Sequence, residues 1–268
     1  MSASQKRLHL IWRIAIVFSL ATLVWILNGF LSDEEYSRTN HAMSAIFISL
    51  LIIPIVILAR RYLDRRPWKG LRLTSFRAGW KSFLIGALCY SIPAAGALTV
   101  FILMGWTSVS IQMSAGEFLL AVLTVMLLVF LYEAFPEELL FRGYFYRNLN
   151  HAWSRRQAVI GQAILFVLFA FMIGAASDWS RIIIFFGVGV VIGIVRVVTQ
   201  NVWSAIGLHL AFQTMQQFFT NRGEYDISIS SPGLIEMMIL GIIPFSFSIV
   251  TLQLFIKKQP DWNEVKPE

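Results

Sequence analysis

The run Glu117-Phe118-Leu119-Leu120-Ala121-Val122-Leu123-Thr124-Val125-Met126-Leu127-Leu128-Val129-Phe130-Leu131-Tyr132-Glu133 decides the fold class. Between its two carboxylates no residue carries a formal charge, and nothing in it alternates between polar and apolar as a membrane barrel strand must. It belongs to an apolar segment over about 117–136. Seven more such segments lie at about 8–31, 42–59, 82–106, 157–176, 181–198, 202–220 and 233–256, each close to the ~20 residues that cross a bilayer as a helix. With 57% hydrophobic and 14% charged residues over 268 positions, the chain has more apolar side chains than one soluble core could hide. The expected fold is all-α: a polytopic membrane helical bundle of about eight transmembrane helices, one transmembrane domain over 1–268.

The first segment follows Lys6 and Arg7 as a signal peptide would, but its apolar stretch is too long and no small-x-small cleavage site follows, so a retained span is expected. Cys89, the single cysteine, sits in an apolar run and reads as a buried packing residue, which excludes a disulfide scaffold. Charge placement sets the orientation. Of the 22 basic residues only Arg38, Arg181 and Arg222 fall on one side, which instead carries Asp33, Glu34, Glu35, Glu117, Asp178, Glu224 and Asp226. Short loops rich in Lys and Arg stay cytoplasmic, so both termini are expected inside, in the plasma (inner) membrane.

This topology also accounts for the net charge of +7, leaving no reason to invoke nucleic acid. The basic, Trp-containing segment from Arg60 to Lys81 reads as an interfacial element lying on anionic lipid. Pro54, Pro93 and Pro244 inside spans predict kinks, and Gly189 with Gly193 predicts a closely packed GxxxG face.

The chemistry concentrates at Glu133-Ala134-Phe135-Pro136-Glu137-Glu138-Leu139-Leu140-Phe141-Arg142-Gly143, at the cytoplasmic end of the fourth span. Carboxylates at membrane depth are costly and mark function by default. On a helix Glu138 and Arg142 are i,i+4 neighbours and form a clamp, while Glu137 points about 140° away from Arg142 and stays free. Glu133 lies on Glu137's side one turn deeper. Such a carboxylate pair suits a general base, and equally a proton or cation path. Pro136 predicts a bend just before the site. The seventh span supplies His209, with Gln213 one turn later on the same face, at a depth that could match Glu137.

These residues resemble the CAAX-processing and bacteriocin-processing (CPBP, or ABI) intramembrane proteases. Glu137-Glu138-Leu139-Leu140-Phe141-Arg142-Gly143 is similar to that family's EExxxR motif, and His209 with Gln213 to its HxxxN motif, Gln standing for Asn. The resemblance covers a motif-bearing core over about 117–220. It implies a hydrolase of metalloprotease-like kind, an endopeptidase cutting membrane-associated peptides near the cytoplasmic face. Carried over, Glu137 is the base, Glu138 and Arg142 hold the architecture with Glu133 nearby, and His209 with Gln213 stabilises the oxyanion or completes a metal site. A divalent metal such as zinc is the implied candidate cofactor, with Glu137 and His209 as candidate ligands. The family's middle motif, FxxxH, aligns Phe166 with its Phe and Ala170 with its His, so Ala170 is a degenerate position. One Glu, one His and an amide are a poor match for sites that hold zinc firmly.

Three readings remain open from sequence: an atypical peptidase, a family member without catalysis (a pseudoenzyme) that binds a membrane partner, and a small proton-coupled transporter. The expected partners are membrane lipid and a membrane-associated peptide or protein.

Overall fold

The computed structural model describes residues 8–31, 36–220 and 225–266. Lys6, Arg7, Asp33, Glu34, Glu35, Arg222 and Glu224, part of the charge-placement argument, lie outside the described residues. The chain is a bundle of helices: α1 (Leu10–Leu31), α2 (Arg38–Leu63), α3 (Phe76–Leu103), α4 (Ala115–Asn150), α5 (Arg155–Met172), α6 (Trp179–Thr199), α7 (Val202–Thr220) and α8 (Pro232–Phe255). Among the described residues, seven helical segments are long and apolar enough to cross a membrane. The one that falls short is α7. Gln213, Gln216 and Gln217 lower its hydropathy, and every residue from Val202 to Leu210 is buried, so it meets protein where its neighbours meet lipid. By contrast Leu119, Leu120, Leu123 and Leu127 form an exposed stripe along α4, a surface that only a lipid solvent tolerates.

Local signals set the helix starts. Ser114 and Glu117 form a capping box at α4, and Ser154 and Gln157 form another at α5. Asp178 caps α6 by accepting from the Arg181 amide at 3.0 Å, and Asn201 accepts from the Trp203 amide at 3.1 Å to open α7. The sequence reading ended the fourth span near 136, whereas α4 runs on to Asn150. The EExxxR motif is therefore inside a helix, buried on all sides, because the residues from Leu139 to Asn150 are covered by neighbouring helices. Two wide π-helical stretches, Phe130–Ala134 and Leu139–Phe145, flank the short α-helical turn that carries Glu137 and Glu138. The first absorbs Pro136: the Phe135 amide reaches back to the Phe130 carbonyl, so the helix continues past a residue with no N–H. Another π stretch, Ile235–Ile242, precedes Pro244 in the same way.

Small residues bring the site-bearing helices together. Gly189 and Gly193 seat α6 on α5, a Cβ on Gly189 lying 3.2 Å from Ala163 and one on Gly193 lying 2.8 Å from Gln162. Closer still, a Cβ on Gly207 would collide with the backbone carbonyl of Phe83, and one on Gly86 with that of Ser204. α3 and α7 thus touch backbone to backbone, two residues before His209. Gly207→Ala is expected to cost about 1–3 kcal/mol or more, since backbone cannot yield as a side chain does. An unchanged melting temperature in detergent would show that α3 and α7 are not so closely apposed.

The segment read as lying on lipid is half folded into the protein. Asp64 and Leu71 are fully buried, while Phe76 and Trp80 stay exposed. Asp64 accepts from Arg13 (2.7 Å), Arg60 (2.9 Å), Asn148 (3.0 Å) and Tyr144 (3.2 Å), tying α1, α2 and α4 at one end of the bundle. Arg13 and Arg60, placed in the sequence reading as topology markers, are interior side chains. At the other end a short antiparallel pair, β1 (Val109–Ile111) with β2 (Ile227–Ile229), sets Val109 opposite Ile229 and closes the bundle. Cys89 is buried and free, as its apolar setting predicted.

Candidate functional site

Glu138 is the hub of the motif. Its Oε1 accepts from Arg142 Nη1 at 2.9 Å and from His209 Nδ1 at 2.8 Å, and all three side chains are buried. The i,i+4 clamp expected from helical spacing forms, even though the helix widens immediately after Glu138. A bare ion pair at this depth would be hard to hold, and the surroundings supply part of what it needs, Glu138 Oε2 and Arg142 Nε having no hydrogen-bond partner among the described residues. The Arg142 guanidinium lies over the Phe166 ring, 4.8 Å from its centroid, and Nη2 reaches the Gly189 carbonyl at 3.4 Å. The same carbonyl accepts from Gln162 Nε2 at 2.8 Å, so α4, α5 and α6 converge on one oxygen. The sequence gives Gln162 no role, since it lies more than two turns from Ala170. Its signal was an amide inside an apolar span, a residue type that membranes tolerate only with a partner.

Glu137 is set apart. Buried at 8% exposure, it accepts no hydrogen bond among the described residues, yet lies within electrostatic reach of His209, Glu133, Glu138 and Arg142. The structure therefore leaves free the carboxylate expected to be free. It differs in the pairing of His209, whose Nδ1 engages Glu138, and in Gln213, whose amide donates to Glu133. Backbone direction explains both. Glu133 and Glu138 project toward α7 from either side of the Pro136 turn, so each meets the α7 side chain at its own level. With Nδ1–H donated to Glu138, Nε2 is the ring nitrogen left for other chemistry.

Ala170 is buried at 1% exposure in α5. Phe166, one turn earlier, packs on Phe141, Phe185 and Arg142; Phe169 packs on Phe141 and edge-on to Trp25. Aromatic rings thus occupy the face of α5 that meets the motif helix. Near Glu133, the ring of Tyr132 carries His41 edge-on at 5.3 Å, and His41 in turn reaches Tyr36. His41 lies at the start of α2, remote in sequence from both motifs, and no spacing argument could bring it here.

Among the described residues, no group of three or more His, Cys, Asp or Glu side chains is arranged to hold a metal ion. His209 Nδ1 is already bound to Glu138, a guanidinium sits against the same carboxylate, and Ala170 offers no donor. The residues present do not fit a firmly held zinc, which wants four ligands in a tetrahedron.

Residues 118–215 match the family model described as type II CAAX prenyl endopeptidase Rce1-like. No curated protein and no solved structure matches the chain. The match begins inside α4 and ends just past Gln213, enclosing every residue of the cluster built on Glu138. A membrane helical bundle with EExxxR on one helix, the His-x-x-x-Gln pair on another and a shared carboxylate between them is thus similar, over residues 118–215, to the type II CAAX prenyl endopeptidases described as Rce1-like.

Proposed function

We propose that this chain is an intramembrane endopeptidase of low catalytic power, acting on membrane-associated peptides near the cytoplasmic face. The observation that carries the reading is the division of labour between adjacent carboxylates. Glu138 is consumed by Arg142 and His209, while Glu137 stays uncommitted beside them. Glu137 takes a proton from a water as that water attacks the scissile carbonyl carbon. His209 Nε2, its ring oriented through Nδ1, faces the developing charge, and the proton on Glu137 passes to the departing amine. Gln213, held by Glu133, supports the substrate side of the site. No step is routed through a metal. An α5 that presents Ala170 where the family has an imidazole lacks one participant, a loss worth about 10²- to 10⁴-fold.

Cleavage of a panel of membrane peptides by the purified protein in lipid tests the reading. Glu137→Gln is expected to reduce the rate about 10²-fold or more, and Ala170→His to raise it. Equal cleavage by the parent and Glu137→Gln would exclude Glu137 as the base. The second reading, a non-catalytic family member that binds a membrane partner, is favoured by the occupied Gln213 amide and by Ala170. It predicts no cleavage by the parent or by Ala170→His.

The same proposal places both termini in the cytoplasm and the protein in the plasma membrane. Reporters fused after Asp226 and after Pro260 are expected on opposite sides, the latter cytoplasmic. Both on one side would contradict the eight-span count.

A further inference from the structure

At the Arg- and Lys-rich end of the bundle, lined by none of the motif-cluster residues, lies an open cavity of about 400 Å³. Seven Arg and Lys side chains line it and no Asp or Glu does. They come from four places: the connection before α3 (Arg66, Lys69, Arg72), the end of α4 and start of α5, α6 (Arg196), and the C-terminal strap (Lys266). Among the described residues, Arg66, Lys69, Arg72, Arg196 and Lys266 form no ion pair with a carboxylate, whereas Arg155 is matched by Glu264 at 2.5 Å. Arg196 forms the floor. It is buried, stacked over the Tyr146 ring at 4.8 Å, and donates to the carbonyls of Arg142 (3.1 Å) and Leu71 (3.4 Å).

Like charges gathered in a concave, partly desolvated place repel one another, and topology alone does not ask for that arrangement; exposed loops would satisfy the positive-inside bias at less cost. Two features show the strain. Arg72 and Gln200, both lining the cavity, hold left-handed backbones at φ 62° and 54°, where glycine or asparagine is cheaper. The Lys266 ammonium is held below its ordinary value by desolvation and then by Arg72, with Arg155 and Arg147 adding to this against the opposing pull of Glu264. An anion in the cavity would relieve the charge repulsion.

We propose that this cavity is a binding site for a phosphate group with several free oxygens, a monoester or diphosphate, carried by a lipid headgroup or by a soluble molecule. A single carboxylate would leave most of the cations unmatched. Guanidinium groups converging from different elements suit the many acceptors of a phosphate. The exposed Phe76 and Trp80 beside the Lys69–Arg72 connection place the cavity rim at interfacial depth, within reach of a headgroup.

The test uses the full chain in phosphatidylcholine nanodiscs, with inorganic pyrophosphate as the soluble probe and admixed phosphatidic acid as the lipid probe. Lys69→Gln/Arg72→Gln removes two exposed rim cations; Arg77→Gln/Lys81→Gln removes the same charge outside the cavity. Pyrophosphate affinity is expected to fall about tenfold or more in the first variant and to change little in the second. Pyrophosphate binding lost only in the first variant identifies a soluble source. Retention of phosphatidic acid through purification, lost only in that variant, identifies a lipid source. If neither probe separates the two variants, the proposal is wrong. Should the rim variant fail to fold, the parent is still expected to melt higher with pyrophosphate than with chloride at equal ionic strength. No such rise, together with no retained phosphatidic acid, overturns it equally.

Discussion

Arg142→Ala is expected to abolish most of the folded yield. The substitution leaves Glu138, fully buried, with a charge balanced only by His209, and it removes the group that stacks on Phe166 and reaches the Gly189 carbonyl. Breaking a buried pair from one side costs about 3–5 kcal/mol, a large part of the stability of a domain of this size. Replacing both partners with apolar residues, Arg142→Met with Glu138→Leu, should restore much of the yield, because no orphaned charge remains. That double variant would lose the hydrogen bond that orients His209, so folding and any peptidase activity are expected to separate. Yield and melting temperature in one detergent are the measurements. A single Arg142→Ala variant that melts with the parent would mean that the pair does not form.

Asp64→Ala should be as severe, at the other centre of buried charge. Asp64 neutralises Arg13 and Arg60 and accepts from Asn148 and Tyr144. Without it two interior guanidiniums, one from α1 and one from α2, face each other with no carboxylate between them. The cost is again on the order of 3–5 kcal/mol or more, and it falls on the contact between α1, α2 and α4. Asp64→Asn is expected to be intermediate, because the amide oxygen still accepts while the charge is gone. Protease sensitivity of the α2 to α3 connection should rise in step with the loss. A parent-like cleavage pattern for Asp64→Ala would place the network's contribution near zero.

The helical bundle was legible because a bilayer demands it. About 20 apolar residues bounded by charge can only be a helix in lipid, so the runs at Leu10–Leu31 or Trp179–Thr199 announce themselves by composition. The clamp between Glu138 and Arg142 was legible for a similarly local reason, since four residues along a helix is a fixed geometry. The order of the EExxxR and His-x-x-x-Gln motifs likewise pointed to the family that residues 118–215 match. What the sequence could not determine was long-range. His209 is 71 residues from the Glu138 it binds, and which of two adjacent carboxylates it meets depends on π-helical turns on either side of the pair, which shift the helix face by a fraction of a turn. Asp64 is a single acid in the basic Arg60–Lys81 segment, and besides Arg60 one turn before it, three partners from distant segments, Arg13, Tyr144 and Asn148, close around it. The cationic cavity is the same lesson at larger scale. Each Arg and Lys is accounted for singly by membrane topology, and only the packing of four separate segments turns their charges toward one space. Local periodicity and solvent set the helices, whereas partners were chosen by the close approach of backbones at Gly86 and Gly207, a contact between residues too far apart for any sequence spacing to encode.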